Sequence, residues 1–167
     1  PEFAEAEKNV NAEIDRLMNI GGKRSVDSIH KELGHIMWEH VGMGRTKEGL
    51  EEGLKMLKAL RQEFNTNLFV PGTKEGLNVE LDKAIHLRDF IIMGELIAYD
   101  ALHREESRGG HFCEEHQTEE GEAKRDDEHF FYVGAWEYQN NDETAPVLNK
   151  EPLEYEIIKV QTRNYKN

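Results

Sequence analysis

The chain has a single cysteine, Cys113, among 167 residues, so no disulfide can form within it. That fits a reducing compartment or a fold that needs no staples. Long hydrophobic runs are missing too. The best is "FIIMGELIAY" at residues 90–99, interrupted by Glu95, against the roughly 20 apolar residues of a spanning helix. The first residues, "PEFAEAEKNV", are acidic and lack the apolar stretch of a secretory signal. Basic charge is also scarce. With 21 lysines and arginines against 34 acidic residues the net charge is −13, which repels nucleic acid and anionic lipid headgroups. Catalytic signatures are lacking as well. There is no G-x-x-x-x-G-K-[ST] or G-x-G-x-x-G phosphate cradle, no G-x-S-x-G elbow and no H-E-x-x-H.

The length suggests one domain, or one domain with an appendage. Hydrophobic residues are only 37% of the chain, so a core must come from well-patterned segments. Residues 3–19 read as a polar helix with Val10, Ile14, Leu17 and Met18 on one side, ended by Gly21 and Gly22. Ser25 or Asp27 caps a second helix, in which Ile29, Leu33, Ile36, Met37, His40 and Val41 make a buried stripe. Thr46 caps a third, with Leu50, Leu54, Leu57, Leu60 and Phe64 inward. Residues 65–76 read as a loop.

A fourth helix, roughly residues 78–105, is the longest. Leu81, Ile85, Ile92, Leu96 and Tyr99 mark one stripe, while Ala84, Ile91, Gly94, Ala98, Ala101 and Leu102 add small or apolar positions elsewhere. A helix apolar on nearly every side is buried all round. Either the bundle is very tight, or a partner domain covers what the companion helices leave bare. Beyond Ser107 the helical period ends. Residues 129–139 and 152–161 are aromatic and β-branched and read as two strands separated by a turn-rich stretch. The expected architecture is mainly α: an antiparallel bundle of three long helices, spectrin-repeat-like, with an N-terminal helix and a C-terminal irregular or β-hairpin extension. Residues 1–106 would form the bundle and 107–167 the extension packed on it.

The densest concentration of chemistry is "ESRGGHFCEEH", residues 106–116. His111, Cys113 and His116 are zinc-ligand types, with Glu114 or Glu115 as a possible fourth, but H-x-C-x-x-H is not a complete zinc spacing. Cys113 stands beside Glu114 and Glu115, which disfavour a thiolate and hence a nucleophilic or redox role. His30, His35 and His40 are five residues apart, a rotation of roughly 140° per step, so they fan around the helix instead of converging. These histidines, with His86 and His103, read as ordinary surface or core-edge residues.

Specific strings go further than periodicity. "MWEHVGMGRTKEGLEEGLKML" (residues 37–57) resembles the W-x-x-x-G-x-x-R-T-x-x-x-L segment of the flavoprotein subunit of succinate dehydrogenase and fumarate reductase. "LRDFIIMGELIAYDALHREESRGGHF" (87–112) is similar to that family's long helix and S-R-G-x-H loop, and "KRDDEHF" (124–130) to its R-D-D-E-x-[WF]. "EPLEYEIIKVQTRNYK" (151–166) resembles the closing segment of one branch. L-aspartate oxidase shares part of the pattern, S-R-G included.

The resemblance implies the C-terminal helical domain of a much larger flavoprotein, which also suits a sequence that opens on Pro1 without Met. The parent would interconvert succinate and fumarate with FAD and exchange electrons with an iron–sulfur subunit. The family's flavin-linking histidine and its dicarboxylate-binding arginine and histidine lie upstream. No catalytic, cofactor-binding or metal residue is therefore assigned to this chain. Its partners would be the flavin-binding domain of the same protein and the iron–sulfur subunit, with no nucleic acid and only indirect membrane contact. The expected location is the cytoplasmic face of the inner membrane. Ser107, Arg108, Gly109, Gly110 and His111 would form a loop along the flavin domain. The glycine pair would turn sharply, Arg108 and His111 would donate hydrogen bonds, and Arg125, Asp126 and Asp127 would pin the far end. Cys113 stands where many members carry Arg, and the insert "EEHQTEEGEA" is longer than usual, so any ion pair of that Arg does not carry over. The alternatives are an L-aspartate-oxidase-like parent, a free-standing acidic interaction module, and a small metal protein built on His111, Cys113 and His116.

Overall fold

The computed structural model describes residues 1–139 and 144–161. Four long helices dominate: α1 (Glu2–Asn19), α2 (Val26–Val41), α3 (Lys47–Asn67) and α4 (Val79–His103). The last three start where the sequence provides a cap. Ser25 accepts from the Ser28 N–H at 3.2 Å, Thr46 from Gly49 at 3.0 Å and Asn78 from Leu81 at 3.1 Å. Each cap satisfies a backbone donor that the helix leaves orphaned, worth about 1 kcal/mol.

The short connections make α2, α3 and α4 an antiparallel bundle, and this topology dictates the small strands. Antiparallel α2 and α3 bring the start of one beside the end of the other. There β1 (Arg24–Ser25) pairs in parallel with β3 (Leu68–Phe69), inside the stretch expected as loop. At the opposite end, β2 (Gly44–Arg45) between α2 and α3 meets the chain as it leaves α4, and pairs with β4 (Phe112–Cys113). A single turn, α5 (Asp127–Phe130), leads into the hairpin of β5 (Tyr132–Glu137) and β6 (Val147–Pro152).

The hairpin corrects one expectation. The second strand is not residues 152–161 but Val147–Pro152, within the stretch expected as turn. The antiparallel register places Val147 opposite Glu137 and Pro152 opposite Tyr132. By residue 153 the partner strand has run out.

The core is a single cluster in which Leu17, Ile29, Leu33, Ile36, Leu57, Leu60, Phe64, Leu87 and Ile91 are buried. Close approach of α2 and α3 depends on Gly53, where a Cβ would lie 2.8 Å from the Cβ of His40. The fourth helix brings a second correction. Its buried stripe is Leu81, Ala84, Leu87, Ile91, Gly94, Ala98 and Ala101, at spacings of three or four. Small residues let α4 lie close to both neighbours, so the stripe expected through Ile92 and Leu96 turns outward. Phe90, Ile92, Met93, Leu96 and Ile97 are all exposed, Phe90 by 50% and Met93 by 56%. Among the described residues no helix is long and apolar enough to cross a membrane.

A β-branched side chain at position 53 must push the two helices apart. Gly53→Val should lower unfolding free energy by about 1–3 kcal/mol through overpacking, read by urea denaturation. An unchanged midpoint would contradict the close contact.

Candidate functional site

The expected loop leaves α4 at Arg104 and is organised around Glu106, a carboxylate with no solvent exposure. Burying an isolated charge costs several kcal/mol, so such a group needs partners on all sides. It has them. Arg108 forks onto both oxygens, Nε to Oε1 at 2.7 Å and Nη2 to Oε2 at 2.9 Å. Arg104 Nε donates to Oε1 at 3.0 Å, and the Asp126 N–H to Oε2 at 2.8 Å. Burial alone would push the Glu106 carboxyl up. Arg108, the Asp126 amide and Arg104 overcome it and hold the group below the usual carboxylate range.

The network reaches outward from there. Arg108 also binds Asp127 Oδ1 at 2.6 Å, and Arg125 binds Asp127 Oδ2 at 2.7 Å and the Gln161 carbonyl at 2.8 Å. Asp127 is held below its ordinary range by Arg125 and Arg108. Asp126 caps α5, accepting from the His129 N–H at 3.1 Å. Arg104 Nη2 donates to the Phe130 carbonyl at 2.7 Å, and its guanidinium lies over the Tyr132 ring at 5.4 Å. Trp136 Nε1 donates to Asp100 at 2.7 Å and packs on Tyr99, fastening the hairpin to the end of α4.

Ser107 is fully buried and works in both directions, donating through Oγ to the Cys113 carbonyl and accepting from the Cys113 N–H at 2.8 Å. Between them the chain reverses in a tight turn, with Arg108 and His111 exchanging backbone hydrogen bonds at 2.8 and 3.0 Å. Gly109 has φ +59°, a conformation that a side chain disfavours. Gly110 lies beside it, exposed. His111 turns back into the fold: Arg45 Nη1 approaches its Nδ1 at 2.8 Å, and its Nε2 is 2.9 Å from the Arg104 carbonyl. Arginine only donates, so Nδ1 is the acceptor and the ring proton sits on Nε2.

The structure thus brings Ser107, Arg108, His111, Arg125, Asp126 and Asp127 into one network, and adds residues that the sequence did not single out. Glu106 is its centre, and the signal was an acid flanked at two residues on each side by Arg104 and Arg108. Arg45 stood in the R-T pair of the family resemblance, but with no role assigned to it. Glu115 was weighed as a metal ligand and as a neighbour of the Cys113 thiol, yet its Oε1 also accepts from the Lys47 N–H at 2.8 Å at the start of α3.

The arrangement suits structure better than metal binding or thiol chemistry. Both ring nitrogens of His111 are engaged, and the Cys113 thiol donates to Glu115 Oε2 at 3.0 Å. Among the described residues no cluster of histidine, cysteine and carboxylate groups is arranged to hold a metal. Burial, and then the neighbouring Glu115, push the Cys113 thiol up to about 11. His30 and His35 are exposed on α2, and His30 stacks on Phe90 at 5.8 Å.

Residues 30–165 match the family model described as the C-terminal part of fumarate reductase flavoprotein. This chain belongs to that family. The fumarate reductase flavoprotein subunit of Proteus vulgaris is 29% identical over 153 residues, which is 92% of this chain and 24% of that protein. L-aspartate oxidase 2-a of Nicotiana tabacum is 36% identical over 92 residues, 53% of this chain and 14% of that one. A solved quinol-fumarate reductase with menaquinol molecules superposes with a TM-score of 0.77 at 25% identity, over 92% of this chain and 25% of that chain. The chain therefore spans about a fifth to a quarter of the length of the curated relatives it matches. The helical fold and the family expected from the sequence are both borne out.

The network gives two expected outcomes. Glu106→Gln leaves Arg104 and Arg108 facing a neutral amide. Because both arginines keep some solvent, the loss should be about 2–3 kcal/mol, below the about 3–5 of a fully buried pair. The wild-type contribution should be present above the ordinary glutamate range and vanish as pH falls through the depressed folded value, whereas the variant should lack this acid-side loss. Urea titrations of both proteins between neutral and acid pH provide the check. For Cys113, iodoacetamide at neutral pH should react at least about 100-fold more slowly in the folded chain than in urea, since thiolate is scarce and access is poor. Equal rates would contradict the burial of Cys113.

Proposed function

We propose that this chain is the helical C-terminal domain of a flavoprotein subunit that interconverts succinate and fumarate, and that it braces the flavin domain. The observation that carries the proposal is the match of residues 30–165 to the fumarate reductase flavoprotein C-terminal family. An L-aspartate oxidase parent has less support, because that relative aligns with 53% of the chain while the Proteus subunit aligns with 92%.

In this reading residues 1–106 form the bundle and 107–167 the extension, and neither part performs the chemistry. The donors of the loop do not suit flavin. Arg104, Arg108 and Arg125 bind Glu106, Asp127 and backbone carbonyls, and His111 is held between Arg45 and the Arg104 carbonyl. FAD is therefore assigned to the remainder of the subunit, and no step of the reaction is routed through these residues. The loop of Ser107, Arg108, Gly109, Gly110 and His111, pinned by Arg125, Asp126 and Asp127, would run along the flavin domain. Support for docking comes from α4, whose row Phe90, Met93 and Ile97 stays exposed with Trp38 of α2 also bare. Contiguous apolar surface of this kind marks an interaction site. An iron–sulfur subunit would complete the electron path, at the cytoplasmic face of the inner membrane.

The test uses the natural protein, with whatever precedes Pro1 in its reading frame. It should be yellow, reduce fumarate with a reduced dye, and lose flavin and thermal stability when residues 1–167 are deleted. A colourless natural protein, or a truncated one with full activity and unchanged Tm, would overturn the proposal.

A further inference from the structure

Few of the polar contacts in the loop depend on a group that titrates near neutral pH, and the Arg45–His111 contact is one that does. The two residues come from opposite sides of a seam. Arg45 belongs to β2, where its Nε donates to the Val41 and Gly42 carbonyls at the end of α2. His111 is the last residue of the tight turn before β4. Beside their contact, β2 and β4 are joined by only a two-residue pairing, Gly44 with Phe112 and Arg45 with Cys113. The Glu114 N–H adds a bond to the Arg45 carbonyl at 2.8 Å.

We propose that Arg45 and His111 form a proton-sensitive latch that holds the loop against the bundle when His111 is neutral and releases it when His111 is protonated. The geometry requires this polarity. Nδ1 of His111 accepts from a guanidinium 2.8 Å away, so a proton added there removes the acceptor and sets two cations against each other. Arg104 stands on the other side of the ring, offering its carbonyl to Nε2 but carrying a further positive charge. Among the described residues, Asp100 on α4 is a carboxylate that favours protonation, and it is already bound by Trp136 Nε1 at 2.7 Å. Cys113, next along the strand, is an uncharged thiol at neutral pH. Burial first, then Arg45 and Arg104, keep the ring below the ordinary histidine range, against the pull of the Arg104 carbonyl. The closed loop thus binds fewer protons than the open one, so its stability is complete above the ordinary histidine range and declines as pH falls through the depressed value.

The opening is local. Glu106 keeps its arginines and Ser107 its two bonds to Cys113, while the β4 edge gives up its pairing with β2 and the Glu115 contact with the Lys47 N–H, so that Cys113, only 6% exposed when closed, gains solvent. The sole cysteine is therefore a built-in reporter. Labelling with 4,4′-dithiodipyridine would be timed in the folded chain from about pH 7.5 to about pH 5, the interval in which histidine titrates, and divided by the rate in urea at each pH. Dividing by the urea rate removes the ordinary fall of thiolate in acid, so a large rise in the ratio reports a change in the surroundings of Cys113. The latch predicts a rise of at least about tenfold with unchanged far-UV circular dichroism, since protonation turns a hydrogen bond from a cation to a neutral ring into repulsion between two cations. His111→Gln can accept from Arg45 and donate to the Arg104 carbonyl without titrating, and its ratio should stay flat. A flat wild-type ratio, or an equal rise in the variant, overturns the latch. Should the variant be unprotected even at neutral pH, ring 15N shifts of His111 in the wild type decide the matter. Loop amides 107–113 that shift with the same midpoint as the ring support the latch, and a different midpoint overturns it.

Discussion

A carboxylate without solvent must find its partners within the chain, and Glu106 sets the terms for everything past α4. Its oxygens take donors from Arg104 before it, Arg108 after it, and the backbone of Asp126 twenty positions on. Those three contacts fix the exit of the helix, the tight glycine turn and the return of the chain to the same place. Arg108 and Arg125 then share Asp127, and Arg104 extends to Phe130 and the hairpin. A stretch with few apolar residues of its own is thereby ordered by charge-assisted hydrogen bonds instead of by a second core.

The bundle poses the opposite problem, an excess of apolar surface. Placing alanine and glycine on the inward side of α4 brings three helices close, but leaves Phe90, Met93 and Ile97 on the outside. Close packing and an uncovered face are two consequences of one choice of residues. In a chain that spans about a quarter of the length of its fumarate reductase relative, the uncovered face has a ready explanation in the proposed flavin domain.

How much of this could be read beforehand depended on how local the signal was. Caps at Ser25, Thr46 and Asn78 are encoded within three residues of where they act, and the helices begin there. The inward face of α4 was misjudged because apolar side chains occur on most of its sides, and only the neighbours decide that Ala84, Gly94 and Ala98 face in. Strand β6 was misplaced because "EYEIIKV" has stronger strand character than "VLNKEP", yet it is the latter that pairs with β5. The segment 162–166 that completed the sequence resemblance lies outside the described residues. At the loop, Ser107, Arg108 and His111 were legible as a unit. Glu106 as their hub was not, since the burial of a glutamate is a property of three dimensions. Of the adjacent carboxylates Glu115 does push the Cys113 thiol up, although burial contributes more.

The central claim is that the bare face of α4 is where the rest of the subunit sits. Met93 reports on it directly, being 56% exposed in this chain and placed between Phe90 and Ile97. Peroxide oxidation of Met93, followed by peptide mass spectrometry, would be compared between the 167-residue chain and a protein that carries the proposed flavin domain in the same reading frame. The account predicts rapid sulfoxide formation in the chain alone and at least about tenfold protection when the proposed flavin domain is present, as for a side chain moved from solvent into an interface. Equal oxidation rates in the two would contradict it.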